Sequence, residues 1–138
     1  MNQNYIDVTQ EAGKAFFQRG IPGAFVMLNL LKFKDIADYS KLPDLAPASE
    51  ISGAAAYDLY MHHTLPLLVE AGSELLFYGK GGPFLIGPEN QHWDAVLLVK
   101  HQSVARFMAF AQDQVYLKTA GHRTAALEDS RLLPIEPI

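Results

Sequence analysis

The chain has 138 residues, 49% hydrophobic and 19% charged, with a net charge of −4 and no cysteine. That length supports one core burying roughly two thirds of the unfolded surface, and the composition excludes a disordered tail or a fibrous repeat. The acidic balance, with no basic cluster beyond Lys32 and Lys34, excludes a nucleic-acid partner, while zero cysteine removes disulfides, thiolate catalysis and Cys-ligated zinc. The first residues have no apolar segment behind a basic head, and no apolar run approaches the ~20 residues of a membrane span. The expectation is a cytoplasmic protein with no membrane partner.

In chain order, residues 1–22 read as a helical appendage, and residues 23–138 as the main domain. Asp7 and Gln10 resemble a capping box that opens a short helix, stopped by Gly20 and Pro22. Residues 24–33 form a nearly unbroken apolar run, too short to span a membrane, and predict a central strand. Phe25, Met27, Asn29, Leu31 and Phe33 then share one face, and Ala24, Val26, Leu28, Leu30 and Lys32 the other. Residues 34–53 read as a long loop, either a flap over a site or surface padding.

A helix follows from Gly53, capped by Ser52 and ended by Gly72, with Pro66 expected to kink or restart it near Thr64. Its inward stripe holds Tyr57, Tyr60, Met61, Thr64, Leu67 and Leu68. Two strand-like runs, residues 74–87 and 91–100, meet in a hairpin at Pro88, Glu89 and Asn90, with Gly79, Gly81 and Gly82 marking a bulge. Those glycines do not form a phosphate loop, since no Lys-Ser/Thr follows. Ser103 caps an amphipathic helix over residues 104–112, and Asp113 caps a helical stretch reaching Asp129, with Tyr116, Ala120, Arg123 and Leu127 on one face. The terminal segment from Arg131 reads as an edge strand, because Pro134 and Pro137 each lack a ladder donor.

The order strand, helix, strand, strand, helix, strand is the split βαβ pattern of an α+β, ferredoxin-like antiparallel sheet with helices on one face, to which the N-terminal helix is added. The opposite face of the first strand would then meet water at ~25 cal/mol per Å² of apolar area. A second copy packed sheet to sheet covers it, giving a homodimer, a dimeric α+β barrel; the alternative is cover by the N-terminal helix or the long loop.

Four stretches, residues 26–33, 52–60, 93–107 and 122–134, resemble domain-of-unknown-function family 1330, within the dimeric α+β barrel superfamily. The resemblance implies a ferredoxin-like protomer and a sheet-to-sheet dimer. It implies no reaction, because relatives in that superfamily range from cofactor-free monooxygenases to isomerases and haem enzymes, and fold is not function.

Among residues able to carry chemistry, Arg123 lies on a face that otherwise looks inward and needs an anion. It could clamp a substrate carboxylate or enolate, or form a structural salt bridge to Asp94, Glu128 or Asp129. Asn29 is an amide inside an apolar strand; it could orient a ligand in a pocket or satisfy the bulge near Gly79 to Gly82. Asp94 is a general-base candidate or the partner of Arg123, and Trp93 a ligand wall, plain core or dimer interface. Tyr57, Tyr60 and Tyr116 can line a pocket with their phenols or pack as core. His122 is the acid/base candidate by its chemistry, although adjacent helical residues diverge by 100°, which argues against sharing a pocket with Arg123. His62 and His63 read as solvated surface, His92 and His101 are scattered, and neither metal nor cofactor is expected.

These residues outline a homodimer with a partly apolar pocket between sheet and helices, binding or acting without a cofactor on a small anionic or carbonyl-bearing organic molecule. The candidate catalytic residues are Asp94, His122 and Arg123. The rival is a non-catalytic ligand-binding or structural dimer whose polar residues knit the fold.

Overall fold

The computed structural model describes residues 3–138. Its elements are α1 (Gln10–Gln18), β1 (Phe25–Phe33), α2 (Gly53–Glu70), β2 (Glu74–Pro83), β3 (His92–His101), α3 (Val104–Ala111), α4 (Gln114–Thr119), α5 (Gly121–Ala126) and β4 (Leu127–Ile135). The strands form one antiparallel sheet in the order β2-β3-β1-β4, which is the split βαβ arrangement expected from the sequence. The apolar β1 takes a central place, and β4, with its prolines, lies at an edge.

Local signals explain most boundaries. Ser52, Ser103 and Asp113 each accept a backbone N–H at the start of α2, α3 and α4, as expected. At α1 the cap is Thr9, whose hydroxyl accepts the Ala12 N–H; the expected Asp7–Gln10 box is displaced because Thr9 stands next to the first helical residue. The helix α2 runs from Gly53 to Glu70 without a break, Pro66 included, and ends at Gly72, where φ is +77°. Gly53 is required for packing: a Cβ there would collide with the backbone carbonyls of Lys34 and Ala126.

Several boundaries differ from the sequence reading: β2 ends at Pro83 instead of continuing to Gly87, and the helical stretch after Asp113 divides into α4 and α5 and gives way to β4. The helical face drawn through Leu127 stops at Ala126, and Leu127 opens β4 by pairing with Phe33. A leucine continues a helical stripe and a buried strand equally well, so ladder pairing to β1 decides the outcome.

Register sorts the sheet into two faces. On the inner face Leu31, Ala95, Leu97, Val99 and Leu127 pack under Tyr57, Tyr60, Met61 and Leu68 of α2. A second cluster joins Phe25, Met27 and Ile21 to Phe16 of α1 and to Val104 and Phe107 of α3. The outer face carries a row that crosses all four strands, Phe77–Leu98–Leu28–Leu133, flanked by Val26, Leu30, Val96 and Ile135. No helix of the described residues covers this row: Phe77 is 59% exposed and Leu133 54%, whereas Leu31 on the inner face is 0% exposed.

The loop between β1 and α2 is held at several points. Ala37 N–H donates to the Ile51 carbonyl, Asp38 N–H to the Ala125 carbonyl, and the Tyr39 hydroxyl lies 2.7 Å from His122 Nδ1. Leu42 and Leu45 lie against Gly121, where a Cβ would displace them. The loop thus lies on α5 and leaves the outer face of the sheet bare.

Candidate functional site

The structure distributes the sequence-derived residues over four places. Tyr57, Tyr60, Tyr116 and Arg123 meet between sheet and helices. The Tyr57 and Tyr60 rings lie 5.2 Å apart, the Tyr60 and Tyr116 rings 6.1 Å apart, and the two hydroxyls of the latter pair hydrogen-bond at 2.8 Å. Burial raises the pKa of both Tyr57 and Tyr60 above that of an ordinary phenol; the Arg123 charge opposes this without cancelling it. Both remain neutral and act as hydrogen-bonding groups, not as bases.

Arg123 pairs with neither an expected carboxylate nor Asp94. Its Nη1 donates to the Ile6 carbonyl at 2.7 Å and its Nη2 to the Ser130 hydroxyl at 3.3 Å. The segment it holds precedes α1: Ser130 Oγ donates to the Tyr5 carbonyl at 2.6 Å, and Tyr5 N–H to Asp129 at 2.8 Å. Trp93 belongs to the same assembly. It is buried beneath the Arg131 guanidinium, 5.0 Å from its ring, and that guanidinium also lies 4.8 Å from the Tyr5 ring and 2.6 Å from Asp129.

Asn29 stays within the sheet and donates to the carbonyl of Leu97, its cross-strand partner, at 3.3 Å. It does not reach the glycines of β2. His122 stands on the far side of α5: it is buried, bonded to Tyr39, and stacked on His63 with ring centroids 5.6 Å apart. Burial lowers its pKa, and His63 adds to the shift. His63, expected as plain solvated surface, is exposed yet stacked. A further buried imidazole, His101, bonds Ser73 at 2.8 Å beside Phe25 and Phe107, and burial pushes its pKa down to about 4.

Asp94 lies apart from all of these, at the end of the sheet. Its carboxylate accepts the Phe33 N–H at 2.8 Å, ending the β1 ladder, and stands 3.8 Å from His92. It lines an open cleft of about 470 Å³ with Phe33, Tyr78, Gly79, Lys80 and Ala95. Behind two of these lining residues lies the buried Tyr57 ring, 5.5 Å from Phe33 and 6.3 Å from Tyr78. The Tyr78 pKa is raised, first by burial and then by Asp58 on α2. Lys80 follows Tyr78 by two residues on the same face and pairs with Ala95, so its side chain lines the cleft. Sequence reasoning passed over Lys80 and Tyr78; their alternation in β2 was the available signal, masked by the surrounding glycines. A second open cleft, about 480 Å³, lies between α2 and α3 against Leu67, Arg106 and Phe110.

A cation, a carboxylate and aromatic walls suit a small polar organic molecule with a carbonyl group. Among the described residues no group of three or more His, Asp or Glu side chains could hold a metal ion, and no helix is long and apolar enough to cross a membrane.

This architecture recurs in solved structures. A protein of unknown function from Rhodopseudomonas palustris, RPA0582, is 34% identical, with 99% of this chain and 98% of that chain covered and a TM-score of 0.84. The chain belongs to the RPA0582 family. The structure of methylated RPA0582 agrees, at 36% identity, a TM-score of 0.86, and coverage of 98% of this chain and 96% of that one. The coverage includes the N-terminal residues that Arg123 and Asp129 hold. A dimeric ferredoxin-like protein of unknown function from Jannaschia sp. CCS1 shares the fold at 12% identity, with 83% of this chain and 100% of that chain covered and a TM-score of 0.55. No family model and no curated protein matches the sequence.

Proposed function

We propose that the protein is a homodimer joined through its outer sheet face, each protomer binding a small carbonyl-bearing or anionic organic molecule in the cleft of Phe33, Tyr78, Lys80 and Asp94. The observation that carries the dimer is the row Phe77–Leu98–Leu28–Leu133, an apolar band across the whole sheet with no cover from the described residues of its own chain. A two-fold axis over that row brings like residues together and removes both copies from water. The dimeric description of the Jannaschia protein supports this reading, as do the four stretches on which we also propose membership of family 1330. The absence of cysteine fits a reducing cytoplasm, where we place the protein.

For the ligand, support comes from Lys80. Among the described residues it enters no ion pair, while Asp94 is already engaged by the Phe33 N–H. Lys80 therefore supplies the attractive charge and Asp94 the shape of the floor. The competing reading, a structural dimer with no ligand, is favoured by the bonds of Arg123 to its own chain.

Light scattering should return twice the chain mass of 15.3 kDa. A screen of small keto acids by thermal shift should find binders, and Lys80→Met should weaken the best of them about tenfold, or ~1.4 kcal/mol. A dimer with no binder supports the structural reading; a monomer at micromolar concentration removes the dimer.

A further inference from the structure

The hydrogen bonds of Arg123 end on neutral oxygens. Its guanidinium meets the Ile6 carbonyl and the Ser130 hydroxyl, and no ion pair among the described residues includes it. The side chain is largely shielded from water, where a planar fork is best matched by the two oxygens of a carboxylate. One carbonyl and one hydroxyl meet its directional demand and leave its charge uncompensated.

The groups that hold this place have a recognisable outline. Two carbonyl oxygens, of Tyr5 and Ile6, accept from Ser130 Oγ and Arg123 Nη1, and the branched side chain of Ile6 packs on the main core. Two oxygens and a short branched tail are the features of a small aliphatic carboxylate. We infer that residues 5 and 6 fill a carboxylate-binding site as an internal stand-in, and that a short branched carboxylate takes Arg123 and Ser130 when this segment lifts.

The segment can lift without breaking a strand ladder or a helix. Residues 3–8 belong to no helix or strand; besides the bonds to Arg123 and Ser130 they are tied by the Tyr5 N–H to Asp129, the Tyr5 ring on Arg131 and the packing of Ile6 on the core, and Thr9, the cap of α1, anchors their far end. Lifting leaves the Arg123 fork and the Ser130 hydroxyl unpaired and uncovers an apolar slot, and a carboxylate with a branched tail satisfies all three at once. This site is separate from the cleft at Lys80: Lys80 and Ser130 stand at opposite ends of one inner row, Lys80–Ala95–Leu31–Ser130. The inference therefore stands or falls independently of the keto-acid reading.

The test is a calorimetric titration of the full chain with isovalerate, paired with hydrogen exchange at the Tyr5 amide. Isovalerate should bind and speed that exchange, since a lifted segment gives up its bond to Asp129. Ile6→Gly, which empties the apolar slot, should tighten binding about tenfold, and Arg123→Lys, which keeps the charge and loses the fork, should weaken it about tenfold. Ser130→Ala should weaken it less, and Lys80→Met should leave it unchanged. The inference is overturned if isovalerate binds neither the natural chain nor Ile6→Gly, if binding leaves Tyr5 exchange unaltered, or if Arg123→Lys binds as well as the natural chain.

Discussion

The two faces of the sheet are built from similar side chains and differ in what meets them. On the inner face three polar groups find partners within the chain, Asn29 in the Leu97 carbonyl, Tyr60 in Tyr116 and His101 in Ser73, while the buried Thr64 hydroxyl finds none. On the outer face, aliphatic residues of β1 and β3 run out to exposed leucine and isoleucine on β4, with charges only around them, as in the Lys32–Glu128 pair. A face that folds onto its own helices needs specific polar partners, whereas a face meant for another sheet needs only to be apolar and rimmed by charge. The contrast separates what stabilises the protomer from what would join protomers in the dimer we propose.

The largest effect should come from charging the outer row. In the proposed dimer Leu28→Asp buries a carboxylate between the two sheets, and association should weaken at least about a thousandfold, or ~4 kcal/mol. Sedimentation would show a folded monomer; an unchanged dimer would mean the sheets do not meet there. Next comes the inner face. Leu31→Ala, at a site with no exposure, should lower unfolding free energy by ~3–4 kcal/mol by denaturant titration while leaving the mass in solution at that of a dimer. If that substitution dissociated the protein instead, the division between the faces would fail.

The smallest effect is titratable. His101 has its folded pKa pushed from 6.5 to about 4 by burial, so below pH ~6.5 the unfolded chain takes up a proton that the folded chain refuses. The stability conferred by the neutral, buried imidazole is complete above pH ~6.5 and is lost as pH falls towards about 4, a loss of ~2–3 kcal/mol. Melting temperatures of the natural chain and of His101→Phe, followed over that range, should diverge; parallel curves would show that the imidazole is not held neutral.

The fold was legible because its signals are local. Ser52, Ser103 and Asp113 announce their helices, and the nearly unbroken apolar run in residues 24–33 announces a strand whose two faces both need cover. The end of α5 was not, since Leu127 satisfies a helical and a strand period alike. The site was harder to read because its decisive partners are backbone atoms. The Ile6 carbonyl that takes Arg123 lies 117 residues away and has no side-chain signature, so a search for carboxylates named Asp94, Glu128 and Asp129 instead. Asp94 was marked as a general base or the partner of Arg123, and its neighbour in the cleft, Lys80, was hidden among glycines. The bond between Tyr39 and His122 depends on a loop whose path no periodicity encodes.

The pairing of β1 with β4 also bears on how the chain reaches its final shape. The hairpin of β2 and β3 closes a short segment, whereas β4 must find β1 across nearly the whole sequence. Loop-closure entropy is therefore highest for the strand that carries Asp129, Ser130 and Arg131, which places that strand and the segment it holds among the last parts to assemble. As an edge supported by a single ladder, the same strand should be first to give way under mechanical load or in partial unfolding.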